Sequence, residues 1–272
     1  MFLKKLRKYR NEFREYGFQI RTFHLSKDGT IEYAQWLHPS ERPVVIHQDT
    51  IDSIRNFVNE GDTVIDIGAH SGDTTIPMAI AAGASGCTLA LEPNPYVYKI
   101  LEKNAELNTD KTNIIPLNFA ATETDGTFTF HYSDSCYCNG GYLSQIKNQR
   151  HGHNWPLEVQ GRNLEKFLRN NYAERLQKLT YIKIDTEGYD KNVILSIISI
   201  IQEYKPIILT EVLKKLVKSE RQDLYDVLDK AGYDCFQCIG GPNCQGPRVL
   251  RKDLMKWKRK HLDILAVPKQ KA

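Results

Sequence analysis

From Thr63 onward, short apolar runs alternate with segments whose apolar residues recur at helical spacing. The almost fully apolar runs at 64–67 and 207–209 are typical of central strands that are covered on both faces. Strands that alternate with helices favour a doubly wound, mainly parallel α/β sheet. Strands are predicted at 63–67, 87–91, 113–119, 127–132, 180–184, 206–211, 233–237 and 262–267, and helices at 49–59, 74–82, 94–107, 162–170, 189–202 and 218–231.

Residues 133–160 interrupt this alternation with a long stretch rich in Gly, Ser, Asn, Cys, Tyr and His. Long irregular segments inside compact domains are usually functional or disordered. We therefore expect a flap here that faces the substrate. We expect 1–50 to form a basic, helical and extended N-terminal extension, and 51–272 to form the main domain.

The first 22 residues are basic and rich in aromatic side chains. Their apolar residues recur at helical spacing, and they are Phe2, Leu3, Leu6, Tyr9 and Phe13. Such a helix fits a membrane surface or a partner protein. Packing against its own domain or against a second copy of the chain is the favoured interpretation, so a homodimer stays open.

Composition narrows the class of protein. A chain of 272 residues with 41% hydrophobic and 26% charged residues is typical of a soluble globular protein with a sizeable core. The net charge of +4 permits an acidic partner without requiring one. No secretory signal and no apolar run of membrane-spanning length is visible, so the expected location is cytoplasmic.

The six cysteines leave one alternative open. Two groups could supply zinc thiolates, namely Cys136 with Cys138 and Cys235 with Cys238 and Cys244. Two clean C-x-x-C pairs at the spacing of a zinc ribbon are absent. Reduced cytosolic thiols are therefore the favoured interpretation, and no metal site is predicted.

The stretch from Asp66 to Gly72 has the pattern Asp-x-Gly-x-x-x-Gly after an apolar strand. A glycine turn at a strand end brings bare backbone close to a cofactor. The spacing differs from the dinucleotide fingerprint and lacks the ending of a P-loop. Because an acid here would repel a pyrophosphate, a cationic cofactor without phosphate fits better. S-adenosylmethionine is such a cofactor.

A second acid supports that prediction. Glu92 ends the next predicted strand, 26 residues after Asp66. In doubly wound sheets an acid roughly 20 residues past the glycine loop accepts hydrogen bonds from a ribose diol. Adenosylmethionine carries the same diol.

Acids also follow the later strands. Asp185 and Glu187 come directly after the strand at 180–184, and Glu211 follows the strand at 206–211. Ligands of open α/β sheets bind beyond the carboxyl ends of the strands. A carboxylate there can accept a proton from an attacking hydroxyl. It could instead hold a divalent cation or cap the next helix.

At this point the sequence resembles a known family, the FkbM S-adenosylmethionine-dependent methyltransferases. The resemblance covers roughly 50–215. It is most specific at Ile184-Asp185-x-Glu187-Gly188, which we call the acid-glycine box. The motifs that carry it are the loop 66–72, Leu91-Glu92-Pro93, Phe119-Ala120-Ala121, Asp125-Gly126, the strand 128–130, Gly141-Tyr142-Leu143-Ser144 and Ile184-Asp185-x-Glu187-Gly188. His70 and Asp73 depart from it, since the family more often has Asn and an aromatic residue there.

The resemblance implies a class I, Rossmann-like sheet of seven strands and transfer of a methyl group to oxygen, often on a sugar or a natural product. It implies that Asp66, Gly68, His70 and Gly72 surround the methionine half of the donor. Glu92 would bind its ribose, and Asn118 and Phe119 its adenine.

On the acceptor side the resemblance implies roles for other residues. Asp185 and Glu187 would be catalytic, with Tyr142, Ser144 and Glu211 near the substrate. A histidine is an alternative base, and the candidates are His70, His131, His151 and His153.

Two other functions stay open. A C-terminal basic patch around Trp257 could follow the phosphates of RNA, although a solvated helical face explains it equally well. Its members are Arg251, Lys252, Lys256, Lys258, Arg259 and Lys260. A binding module without turnover is disfavoured by the intact acids and glycines. The tripeptide Asn94-Pro95-Tyr96 is similar to a box of amino-group methyltransferases, but that box follows the fourth strand, whereas this tripeptide follows Glu92. The place after the fourth strand is occupied by 184–188, which favours an oxygen acceptor.

Overall fold

The structure, a computed structural model, describes residues 13–138, 140–143, 155–239, 245–258 and 261–270. The described strands are β1 (Phe18–Leu25), β2 (Gly29–Trp36), β3 (Thr63–Ile67), β4 (Cys87–Leu91), β5 (Ile114–Leu117), β6 (Ala120–Thr122), β7 (Gly126–Tyr132), β8 (Gly140–Leu143), β9 (Trp155–Asn163), β10 (Leu179–Ile184), β11 (Ile207–Val212), β12 (Tyr233–Cys238), β13 (Gln245–Arg248) and β14 (Leu262–Pro268). The described helices are α1 (Gln48–Ile54), α2 (Thr75–Ala82), α3 (Pro95–Glu106), α4 (Leu164–Asn171), α5 (Ala173–Leu176), α6 (Asp190–Ser196), α7 (Ile198–Tyr204), α8 (Lys218–Lys230) and a 3₁₀-helix (Arg251–Trp257).

The main sheet has the strand order β13-β12-β14-β11-β10-β3-β4-β5. The strands from β11 to β5 are parallel, whereas β14 runs antiparallel between β11 and β12. The chain builds outward from β3 in one direction and then returns to build from β10 in the other. This reversal makes the sheet doubly wound, and its switch point lies between β3 and β10.

The number of strands differs from the seven predicted. The described part of this sheet has eight strands, because β13 adds an antiparallel edge next to β12. Pro247 lies in that short strand, and proline is tolerated at a sheet edge because no neighbour needs its missing N–H. The predicted helix at 189–202 is also two helices, α6 and α7, which meet at Ile197.

A second sheet has the order β6-β9-β7-β8. The strand predicted at 127–132 belongs to it, and β9 occupies a part of the chain that was predicted as flap. Phe130, Tyr132 and Val159 form a small core with Ala120 between the strands and the main domain. Residues 155–160, which were predicted to belong to an irregular flap, therefore form part of a strand.

The N-terminal segment is a β-hairpin in the part that is described. β1 and β2 pair antiparallel along their whole length, so the helix predicted for 1–22 is wrong over 18–22. Residues 1–12 lie outside the described residues. Ile31 and Tyr33 of β2 are fully buried in the same core cluster as β3 and α2, which anchors the hairpin to the domain.

Candidate functional site

A cavity of about 550 Å³ opens at the carboxyl ends of β3, β4 and β10, the edge where doubly wound sheets bind ligands. Residues 40–42 and the second sheet form other parts of its wall. The structure thus brings together residues from separate segments of the chain. The predicted site residues that line this cavity are Gly68, His70, Glu92, Phe119, Asp185 and Glu187.

Asp66 lies behind the cavity wall. Its side chain is fully buried and accepts hydrogen bonds from Thr74 Oγ1 at 2.9 Å and Thr75 Oγ1 at 2.7 Å. These bonds join the end of β3 to the start of α2. The structure does not place Asp66 in contact with the cavity, so its contribution is to the shape of the loop.

Gly72 and Asn118 also lie outside the lining. Gly72 has a positive φ of +95° and its N–H donates to Ala69 O at 2.8 Å, which closes the loop before α2. Asn118 is exposed, and its side-chain amide donates to the backbone oxygen of Glu92 at 2.8 Å. Both residues support the wall without forming it.

Glu92 is a buried carboxylate on the cavity wall, with 6% of its surface exposed. It accepts the N–H of His70 at 2.9 Å and the N–H of Asn94 at 2.8 Å, one on each oxygen. Burial raises the pKa of Glu92, while His70 and the two N–H groups oppose the rise. Each carboxylate oxygen can accept a second hydrogen bond, so the group fits a diol.

His70 has a left-handed backbone with φ of +49°. Its ring Nε2 lies 3.3 Å from the backbone oxygen of Cys138, and the ring of Trp36 meets it edge-on at 5.8 Å. Positive φ is uncommon for a residue with a side chain and is concentrated at functional sites. Glu187, also on the cavity wall, has φ of +53°.

The sequence analysis missed Lys183. Its ammonium lies 3.3 Å from Asp66 Oδ1 and 3.5 Å from Asp185 Oδ2, and it donates to Gly68 O at 3.1 Å. Burial alone would lower the pKa of Lys183, but the carboxylates of Asp66, Asp185 and Asp73 raise it above its usual value. The available signal was a lysine inside the otherwise largely apolar strand β10.

Asp185 and Glu187 form the turn after β10, and 47% of the Asp185 side chain is exposed. Asp190 holds this turn in place. It accepts hydrogen bonds from Thr186 Oγ1, Gly188 N and Thr210 Oγ1, each at 3.1 Å. Because these hydrogen bonds fix the turn, the side chain of Asp185 lies beside Lys183 at the cavity.

Glu211 lies on β11, outside the residues that line the cavity. Burial raises its pKa to about 9, and the nearby acids Asp185, Asp190, Glu187 and Asp263 add to the rise. Its carboxyl group contacts the ring of His261. Burial lowers the pKa of that histidine.

The remaining predicted residues lie on other segments of the chain. Tyr142 lies in β8, with its backbone paired to His131 of β7. Ser144, His151 and His153 lie outside the described residues. Cys235 is a buried thiol, whereas Cys238 is disulfide-bonded, so the expectation of reduced thiols is wrong for Cys238. Cys244 lies outside the described residues.

Some of the C-terminal basic residues are already paired. Arg251 forms a salt bridge with Asp226 at 2.7 Å, and Lys256 forms one with Asp253 at 2.9 Å. Arg259 and Lys260 lie outside the described residues. Across the described part of the chain, every helix is too short or too polar to cross a bilayer.

Solved structures with a similar fold come from several methyltransferases. A crystal structure of Methyltransferase FkbM from Methylobacillus flagellatus has 13% identity and a TM-score of 0.46, and the match covers 77% of this chain and 44% of that one. A SAM-dependent O-methyltransferase from Thermotoga maritima has 13% identity and a TM-score of 0.42, with 93% and 78% covered. A precorrin-6y C5,15-methyltransferase from Geobacter metallireducens has 12% identity and a TM-score of 0.43, with 84% and 92% covered.

This chain therefore spans less than half the length of the M. flagellatus protein. No curated protein matches its sequence. The model of the methyltransferase FkbM domain matches residues 66–235, which is more than half of the chain and includes the loop 66–72, Glu92 and the acid-glycine box. The resemblance carried by those motifs is thereby confirmed: the chain belongs to the FkbM family of methyltransferases.

Proposed function

We propose that this chain transfers the methyl group of S-adenosylmethionine to a hydroxyl of a sugar, a glycan or a small natural-product-like acceptor. One observation carries the proposal. Asp185 and Glu187 line the same cavity as Glu92, so a proton acceptor and a diol acceptor face one cavity. Holding two reactants in one space contributes much of the catalysis expected of a group transfer.

The residues of the donor side fit this cofactor. Glu92 offers carboxylate lone pairs for the ribose hydroxyls, and Gly68 presents backbone without a side chain. Phe119 is buried on the wall and offers an aromatic surface for the adenine. The bound donor supplies a methyl group on a positively charged sulfur. Asp66 and Gly72 act by fixing the loop 66–72, which surrounds the donor and which we call the donor loop.

Asp185 is the proposed base. Its carboxylate accepts the proton of the acceptor hydroxyl as the oxygen attacks the methyl carbon, a role worth roughly 10²–10⁴-fold in rate. Lys183 positions that carboxylate through the ion pair at 3.5 Å. Glu187 binds the acceptor from the same turn, and its left-handed backbone fixes the direction in which its side chain leaves the chain.

The rest of the acceptor side comes from other segments of the chain. We propose that Tyr142 and Ser144 approach the acceptor from the segment after β7, and that Glu211 acts on Asp185 through its charge state. An RNA acceptor is the second candidate and rests on the C-terminal basic segment. Because Arg251 and Lys256 are paired with acids there, that segment offers less free positive charge than its sequence indicates.

The proposal is tested by incubating the purified chain with labelled donor and a panel of sugars, glycans, small hydroxyl compounds and RNA. We expect label in a hydroxyl-bearing small molecule or glycan. We expect Asp185→Asn to lower turnover by roughly 10²-fold or more while donor affinity by calorimetry stays nearly constant.

Asp110→Asn, a change of an exposed aspartate away from the cavity, is the matched control and should leave turnover unchanged. If Asp185→Asn weakens donor binding and turnover in parallel, Asp185 is structural and the proposed base is wrong. If only RNA becomes labelled, the second candidate replaces the first.

A further inference from the structure

Glu41, His70 and Cys138 come from separate segments and meet on the cavity wall. A carboxylate oxygen of Glu41, a ring nitrogen of His70 and the Sγ of Cys138 all lie within 4.8 Å of one another. Oxygen, nitrogen and sulfur donors in this combination are ligands of zinc and related thiophilic divalent cations. No step of the proposed methyl transfer uses these three side chains together.

The spacing of two of these donors is close to that of a metal site. Zinc binds sulfur at roughly 2.3 Å and carboxylate oxygen at roughly 2.1 Å, so a tetrahedral site separates the two donors by roughly 3.6 Å. Cys138 Sγ and Glu41 Oε2 are 3.8 Å apart. A shift of a few tenths of an ångström would therefore bring this pair of donors to the separation found in a tetrahedral site.

The hydrogen bond of His70 selects the form of its ring. The backbone oxygen of Cys138 can only accept, so Nε2 of His70, 3.3 Å away, carries the proton. Nδ1 of the neutral ring then holds a lone pair. Histidines that bind metals usually donate their other N–H to a carbonyl or a carboxylate in this way.

A neighbouring group shows what a non-metal arrangement looks like. Three potential ligand atoms, one from each of His38, Asp134 and Cys136, also lie within 4.8 Å of one another. The N–H of Ser40 donates to His38 Nδ1 at 3.0 Å, so the proton sits on Nε2, which faces Asp134 Oδ1 at 3.3 Å. The nitrogen nearest the carboxylate has no lone pair to offer, and this group is held together by hydrogen bonds.

The charges around Glu41 also favour a cation. Within the described residues no lysine or arginine forms a salt bridge with Glu41, and Asp73 adds negative charge nearby. Glu41 is partly buried, and carboxylates withdrawn from water are normally paired with a positive group or coordinate a metal. The Sγ of Cys138 lies 3.8 Å from Oε2 of Glu41, and a ring nitrogen of His70 lies within 4.8 Å of a Glu41 carboxylate oxygen.

We propose that Glu41, His70 and Cys138 form a binding site for a zinc-like divalent cation, with a coordination position open to the cavity. On binding, the S–H bond of Cys138 breaks, an Sγ–metal bond forms, and the proton leaves to solvent. Three protein ligands and one open position are typical of catalytic rather than structural zinc sites. The proposal does not depend on the identity of the methyl acceptor.

Cobalt(II) is the probe, because its bond to a thiolate absorbs in the near ultraviolet. The purified full chain is stripped with a chelator and titrated with Co²⁺. We expect the absorption to saturate at one equivalent, to disappear in Cys138→Ser, and to persist in the matched control Cys136→Ser. Competition with a chromophoric chelator should show zinc affinity reduced by roughly 10-fold or more in Glu41→Gln.

Circular dichroism and thermal unfolding establish that each variant is folded before its metal binding is compared. If Cys138→Ser does not fold, Glu41→Gln decides the outcome alone. The proposal is wrong if the parent chain shows no cobalt–thiolate absorption, if the absorption survives in Cys138→Ser, or if folded Glu41→Gln binds zinc as the parent does. Since neither donor nor acceptor enters this assay, its result is separate from that of the methyl-transfer test.

Discussion

Gly68 lies so close to Asp185 that a Cβ built at position 68 would stand 1.9 Å from the backbone oxygen of Asp185. The donor loop and the acid-glycine box are therefore packed backbone against backbone. Since φ of Gly68 is +82°, a side chain would be strained as well as obstructed. The proposed donor side and acceptor side of the cavity share this contact.

Gly68→Ala should abolish donor binding and lower the melting temperature, because the methyl group must push the two segments apart. The matched control is Gly29→Ala, which imposes a similar positive φ of +73° but meets its nearest atom, Lys111 Nζ, only at 3.6 Å. The control should lose roughly 1–2 kcal/mol from backbone strain and keep donor affinity. Calorimetry with the donor and thermal unfolding measure both. Equal losses in the two variants would mean that the contact with Asp185 is unimportant.

Glu92→Gln should weaken donor binding by roughly 10- to 100-fold, the cost of hydrogen bonds to a charged group. An amide has one accepting oxygen, so it cannot serve the N–H groups of both His70 and Asn94 while also receiving a diol. Glu174→Gln, on an exposed helix, is the control for the loss of one negative charge. Unchanged donor affinity by calorimetry would remove Glu92 from the ribose site.

Lys183→Met should destabilise the fold by roughly 3–5 kcal/mol, because it leaves the buried carboxylate of Asp66 without its cation. Denaturant unfolding measures the change in the free energy of unfolding. The double variant Asp66→Asn with Lys183→Met should be less destabilised than the sum of the single variants, since it leaves no buried unpaired charge. Additive losses would show that the ion pair contributes nothing specific.

Glu211 should make stability depend on pH. Its folded pKa of about 9 is above its ordinary value of 4.5, so the unfolded chain loses the proton first as pH rises. Stability from this group is therefore fully present below pH 4.5 and is lost progressively up to about pH 9.

Glu211→Gln should remove this loss of stability at rising pH, because glutamine does not ionise. The melting temperature of the variant minus that of the parent should rise between pH 5 and pH 9, with each 1 kcal/mol worth roughly 2–4 °C in a chain of this size. Thermal unfolding in a series of buffers measures it. Glu174→Gln should show no such trend, and a constant difference for Glu211→Gln would contradict the raised pKa.

The positions of Gly68 and Glu92 on the cavity wall could be predicted because they follow directly from local sequence. Gly68 and Glu92 come immediately after strands that are buried along their whole length, and parallel strands bring their carboxyl ends to one edge. The same rule placed Asp185 at that edge. The rule could not distinguish Asp66 from the residues that line the cavity. Asp66 lies one residue inside the strand end, and its side chain is buried in the protein.

Lys183 and Glu41 show why the rest could not be predicted. Lys183 forms ion pairs with Asp185, two residues along the chain, and with Asp66, which faces it from the neighbouring strand β3. The pairing of β10 with β3 is not written in local sequence. Glu41 reaches the cavity from outside the predicted main domain. The strand β9 was hidden for a related reason, since Pro156 and Gly161 give it the composition of a loop.

The side chain of Asn104 carries a consequence for folding. It accepts the N–H of Ala34 and donates to the backbone oxygens of Ala34 and Ser71, so it ties the hairpin to the donor loop through a helix 70 residues further along the chain. Contacts this distant in sequence form late, because the entropy of closing the intervening chain must be overcome first. The donor loop can therefore take its final shape only after the hairpin has docked. During refolding, recovery of donor binding should lag behind recovery of helical structure, and a nascent chain would stay unable to bind donor until residues well beyond the loop itself have emerged and packed.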